Sequence, residues 1–264
     1  MGDACDFSWN RPTVDELKAA DLGALVYDKA FGTQGSPEKY RAELAAAGVV
    51  TAGIHEESGT EAFDGYARGV AAARKADREF SAGVFVYYCA ADRPSIVDPD
   101  GTDHGPAITE YFRGVTDTTR EAEVGAYGPI AALRAAQAGS PKVTHLWGVE
   151  TWHPQARNNG DPFNVDLWRG EGVHLMQVVG PSPIGGTDLD LVLKPDWAGT
   201  EVDMTPEESA TLKDIQGILN GGGVYPSLEA RIEAAVAKEL AKQLAGVKPA
   251  GSNPLTINLT GTAA

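Results

Sequence analysis

Three carboxylates follow three separate strand-like segments: Asp6, Asp92 and Glu150. Carboxyl groups held across a cleft can cleave glycosidic bonds, one protonating the leaving oxygen while the other acts as base or nucleophile. Aromatic side chains fall at or near the same segment ends: Trp9, Tyr87, Tyr127, Trp147 and Trp152, with Tyr88 and His153 beside them. Aromatic faces stack on pyranose rings, so acids among aromatics describe a sugar cleft. Asp28, the run His55-Glu56-Glu57 and the pair Thr187-Asp188 complete the polar set. Asp6, Asp92 and Glu150 are therefore the candidate catalytic residues. Trp9, Asp28, Glu56, Tyr87, Tyr127, Trp147, Trp152 and Asp188 are the candidate substrate contacts. For any one of the acids the alternative is a helix cap or a loop tie.

Other chemistries find less support. The loop Asp98-Pro99-Asp100-Gly101-Thr102-Asp103-His104 alternates oxygen ligands but lacks the twelve-residue spacing and terminal Glu of a calcium-binding hand. The five histidines show no zinc-ligand spacing, and no Gly-x-Ser-x-Gly elbow occurs, so no metal and no cofactor is expected. Cys5 and Cys89 are too few for a disulfide scaffold; they read as buried thiols, with a single bridge between strand ends left open. A formal net charge of −15 leaves no footprint for nucleic acid and would be repelled by an anionic membrane. A neutral, sugar-like ligand is easier to reconcile with it, although acidity also serves solubility. No apolar run approaches the roughly 20 residues that span a bilayer. The first residues, Met1-Gly2-Asp3-Ala4-Cys5-Asp6, have neither a basic nor an apolar leader region, so no signal peptide is expected.

The elements that must position these residues alternate along the chain. Strand-like segments occupy residues 4–8, 24–28, 49–54, 83–89, 123–127, 142–147, 173–178 and 189–193. Helices are expected from the capping box Thr13-Val14-Asp15-Glu16, from Ser36-Pro37, over about 60–78, around 108–114 and over 129–138. Long polar loops run from 90 to about 106 and from 150 to 169. Eight strands with mostly intervening helices predict a closed α/β barrel of the (β/α)₈ TIM type over residues 1–200, with the site at the C-terminal strand ends. The last connection lacks a helix. An open doubly wound sheet is the alternative, weakened by the absence of a Gly-rich phosphate fingerprint after the first strand.

Several of these segments carry a family resemblance. Asp6-Phe7-Ser8, the strand and loop 84–92, Tyr111-Phe112-Arg113-Gly114-Val115, Gly125-Ala126-Tyr127-Gly128, Leu146-Trp147, and His174-Leu175-Met176-Gln177 with Thr187-Asp188-Leu189-Asp190 resemble the glycoside-hydrolase-like barrel domain of actinobacteria and their phages. That domain is related to the family-25 lysozymes, and the resemblance covers roughly residues 3–195. It implies that Asp6 takes the role of the first-strand acid and Asp92 that of the first member of an Asp-x-Glu pair. Pro94 stands where that pair has its Glu, which removes the obvious proton donor and leaves Glu150 or Glu56 as substitutes. Weak or lost hydrolysis is the expectation.

Residues 201–264 are expected to form a helical appendage. A capping box at Thr205-Pro206-Glu207-Glu208 opens a first helix, and Asn220-Gly221-Gly222-Gly223 breaks it. Leu228, Ile232, Val236, Leu240 and Leu244 then form a narrow apolar stripe. Leu255, Ile257 and Leu259 alternate as in a strand. This segment resembles the ends of proteins from phages of actinobacteria. The resemblance implies a virion protein of the tail or tail tip, made in the host cytoplasm. Its partners would be cell-wall glycan, other tail proteins and copies of itself joined through the C-terminal helix. An endolysin or host cell-wall glycosidase is the alternative.

Overall fold

Apolar alternation in the strands and one-sided helices close the chain into a barrel. The computed structural model describes residues 3–7, 11–29, 35–80, 84–121, 123–155, 165–179 and 182–199; these fall in one unit, Met1–Val202. Trp9 and the expected appendage over 201–264 lie outside the described residues. The strands are β1 (Ala4–Asp6), β2 (Gly23–Tyr27), β3 (Thr51–His55), β4 (Val86–Cys89), β5 (Val124–Tyr127), β6 (Val143–Val149), β7 (Leu175–Val178) and β8 (Asp188–Val192). The helices are α1 (Val14–Ala20), α2 (Pro37–Ala46), α3 (Tyr66–Glu79), α4 (Gly105–Thr118), α5 (Ile130–Gly139) and α6 (Val165–Gly170). No described helix is long and apolar enough to cross a membrane.

The eight strands pair in sequence order around a closed barrel. β1 to β7 run parallel, but β8 runs antiparallel to both β7 and β1. This corrects the expectation of an all-parallel barrel. A parallel return needs a crossover, usually a helix, whereas a short connection returns the chain antiparallel. The reversal has a consequence for the site. The beginning of β8, not its end, lies beside the ends of β1 and β7, with Asp188 opposite Asp6.

Two apolar layers follow from the period of two. Leu25, Ile54, Tyr87, Tyr127, Trp147 and Leu175 belong to the cluster inside the barrel. Val26, Tyr88, Ala126, Leu146 and Met176, one residue removed along their strands, pack outward against the helices. Cys5 lies in the outer layer and Cys89 in the inner one, both as buried free thiols. The expected helix over 60–78 is a 3₁₀ turn (Glu61–Asp64) and α3, separated at Gly65, whose φ of 71° no β-carbon favours. α3 and α4 cross at backbone contact: a β-carbon on Gly69 would lie 1.9 Å from the Tyr111 carbonyl oxygen.

The capping box of α1 forms as expected. The Thr13 amide donates to Glu16 Oε2 at 2.7 Å, and the Glu16 amide donates to Thr13 Oγ1 at 3.2 Å. Thr13→Ala removes one of these bonds and lowers the unfolding free energy by about 1 kcal/mol. Urea denaturation measures this, and an unchanged midpoint would show that the cap adds nothing at this end.

Candidate functional site

Asp6 ends β1 with its side chain turned into the barrel, buried and 1% exposed. Gln177, from the inward face of β7, donates to Asp6 Oδ2 at 2.8 Å, and the Tyr27 hydroxyl lies 3.4 Å from Oδ1. The Tyr127 hydroxyl, at the end of β5, lies 3.0 Å from Gln177 Oε1 and 3.2 Å from Asp92 Oδ1. A phenol has one hydrogen, so Tyr127 donates to one of these two at a time. A polar chain therefore runs across the mouth from Asp92 through Tyr127 and Gln177 to Asp6. It brings the two expected acids together at the C-terminal strand ends, where barrels of this type carry their sites.

The antiparallel β8 adds two acids that sequence reasoning did not assign to catalysis. Asp190 is fully buried, and its Oδ1 accepts from the Trp147 indole at 2.8 Å. Asp188 is exposed at the rim. Burial, with the Asp188 charge next, pushes the Asp6 carboxyl up to about 7, against the bonds from Gln177 and Tyr27 that hold it down. Burial and then the Asp6 charge raise Asp190 well above the ordinary carboxylate range, so a protonated Asp190 sits beside Asp6. Burial and then Asp92 raise Glu56, with Lys29 opposing. The same two causes raise Asp188. Burial keeps Tyr27 and Tyr127 as neutral phenols.

The other expected site residues fall into two groups. Trp152 is half-buried with its ring 6.0 Å from that of Tyr127, so it lines the same mouth. Glu150 is buried after β6, and its Oε2 accepts from the Val179 amide at 3.0 Å, tying it to the end of β7. Trp147 is 1% exposed and acts from beneath, orienting Asp190 while its ring packs on Tyr127 and Tyr87. Tyr87, expected as a substrate contact, lies away from the solvent-facing mouth. It is fully buried inside the barrel, and its hydroxyl donates to the Trp197 carbonyl at 2.6 Å. Asp28 also stands apart. Tyr27 points inward, so Asp28 points outward. Its Oδ2 is 2.5 Å from His55 Nδ1, and His55 Nε2 is 3.4 Å from Glu61 Oε1. Glu61 Oε2 accepts from the amides of Glu57 and Ser58 at 2.8 and 3.3 Å. This buried network fixes the turn that carries Glu56. The Gly59 carbonyl in that turn accepts from the Asp92 amide at 2.7 Å.

Tyr27, Gln177 and Asp190 are the residues that sequence reasoning missed. Each is polar and shares the inward register of its strand with an apolar neighbour two residues away: Leu25, Leu175 and Val192. That register was the available signal.

Fold and site together define a closed α/β barrel with an acidic, aromatic-lined mouth. No protein-family model matches the chain. No curated protein matches it either. A solved structure described as a virulence factor, a glycosyl hydrolase 25 of Streptococcus pneumoniae participating in host cell invasion, is similar at 15% identity and a TM-score of 0.44, over 74% of this chain and 87% of that one.

Proposed function

We propose that the barrel binds a cell-wall polysaccharide across its acidic mouth and hydrolyses it weakly or not at all. The observation that carries this reading is the polar chain Asp92–Tyr127–Gln177–Asp6, with the Trp152 ring beside it. Carboxyls, an amide and neutral phenols give the directed hydrogen bonds that sugar hydroxyls need, and the indole gives a stacking face. Pro94 leaves the fourth strand's acid without the Glu that the related lysozymes pair with it, which supports weak hydrolysis. In this reading the protein belongs to the tail or tail tip of a phage. The appendage over 201–264 would join copies of itself or neighbouring tail proteins; that assignment rests on the sequence resemblance.

A second reading, an active endolysin or host cell-wall glycosidase, draws on Glu56. Its carboxyl is half-buried and raised by burial and then by Asp92, as suits a proton donor. Glu150 is the poorer substitute because its carboxylate holds the Val179 amide. Incubation with purified actinobacterial cell walls, reading bound protein and released reducing ends, separates the two. Binding that Trp152→Ala weakens by about tenfold, with little sugar released, supports the first reading. Vigorous release that is lost in both Asp92→Asn and Glu56→Gln supports the second. No binding and no release would sink both.

A further inference from the structure

At the opposite end of the barrel from the acidic mouth, three potential ligands converge. His145 enters on β6, His174 precedes β7, and Asp196 follows β8. One ligand atom from each lies within 4.8 Å of the other two. From this geometry we infer that His145, His174 and Asp196 form a binding site for a divalent transition-metal ion of the zinc type. Two imidazoles and a carboxylate are a donor set such ions take, with a fourth position left for water.

The surroundings fit. Both rings are buried, 5% exposed, while the Asp196 side chain is 49% exposed and gives the ion a way in. The His174 Nε2 lies 3.8 Å from Asp196 Oδ1. The two rings lie 4.5 Å apart, and Phe85 packs on His145 at 4.3 Å as an apolar wall. Thr144 Oγ1 lies 2.8 Å from His145 Nδ1, where it can accept from the ring nitrogen that faces away from the ion and so orient the ligand.

Ligation requires a change of tautomer. Without metal, His145 Nε2 donates to the Asp196 carbonyl at 3.0 Å, and His174 Nδ1 accepts from the Leu146 amide at 3.2 Å. Metal binding moves each ring proton from Nε2 to Nδ1, with no net proton released. Thr144 then accepts from His145, whereas the His174 Nδ1–H would face the buried Leu146 amide, so that hydrogen bond is lost and metal ligation must outweigh its loss. The site would tie β6, β7 and the segment after β8 together at the end of the barrel that serves stability rather than chemistry.

The test uses the untagged full chain at neutral pH, with zinc by titration calorimetry and cobalt by visible absorption. The expected result is one equivalent bound with a dissociation constant of about 1 μM or tighter, tetrahedral cobalt bands, and a thermal midpoint that zinc raises. Asp196→Asn should weaken binding at least about tenfold and His174→Gln should abolish it. Should His174→Gln fail to fold, Asp196→Asn, at the half-exposed position, decides alone. Binding only at millimolar zinc, or binding that Asp196→Asn leaves unchanged, overturns the site and moves any bound metal to the acidic surface.

Discussion

Asp190→Asn flattens the pH dependence of the barrel's stability and makes the protein more stable than the parent at alkaline pH. In the folded state Asp6 and Asp190 both hold protons that the unfolded chain gives up. For such raised carboxyls the contribution to stability is fully present below the ordinary carboxylate value and is lost as pH rises through the folded value. For Asp6 that window runs from 3.8 to about 7. Within it, each extra proton held by the fold lowers stability by about 1.4 kcal/mol per pH unit as pH rises. Asparagine at 190 keeps the acceptor for the Trp147 indole and places an amide N–H where the acid's O–H faced Asp6. It needs no proton, so the slope of unfolding free energy against pH should be shallower by about 1.4 kcal/mol per unit. Urea unfolding between about pH 5 and pH 8 gives both slopes. Parallel curves would mean that Asp190 is ionised in the folded barrel. The acids at the mouth thus trade stability for a polar site.

The largest loss of stability should come from a residue that touches no acid. A β-carbon on Gly114 would sit 2.3 Å from the Tyr66 carbonyl oxygen, and one on Gly69 would sit 1.9 Å from the Tyr111 carbonyl oxygen. Both obstacles are backbone, so no rotamer relieves them; α3 and α4 must separate. Gly114→Val should lower stability by about 3 kcal/mol or more, or about 10 °C in thermal midpoint, because the shift reopens the layer containing Ile108, Phe112 and Ala73. Gly170→Ala is the control, since nothing lies within 4 Å of the added carbon. It should change the midpoint little. If Gly114→Val melts like the control, the two helices do not cross at backbone contact.

Much of the fold was legible because local rules governed it. Thr13 and Glu16 form their cap from side chains three residues apart, which no distant element can alter. The alternation of Leu25, Val26 and Tyr27 sets which face of β2 is buried in the barrel and which meets the helices. Glu61–Asp64 was harder to read, because an Ala-rich run conceals a break that depends on the backbone angle at Gly65.

The sequence by itself determined the eight strands, the order of the elements and the placement of Asp6, Asp92, Glu150 and Asp188 near strand ends. These follow from periodicity, caps and turn residues, all of them short-range. Only the tertiary structure decided the direction of β8, and with it the entry of Asp190 beside Asp6. Only closure of the barrel joined Gln177 to Asp6 across 171 residues of chain. It also turned Tyr87 into the core and Asp28 toward His55. Residue type announces that a side chain can donate, accept or stack. Whether it faces a cleft, a helix or the barrel interior depends on strand register and closure, which join residues far apart in the chain.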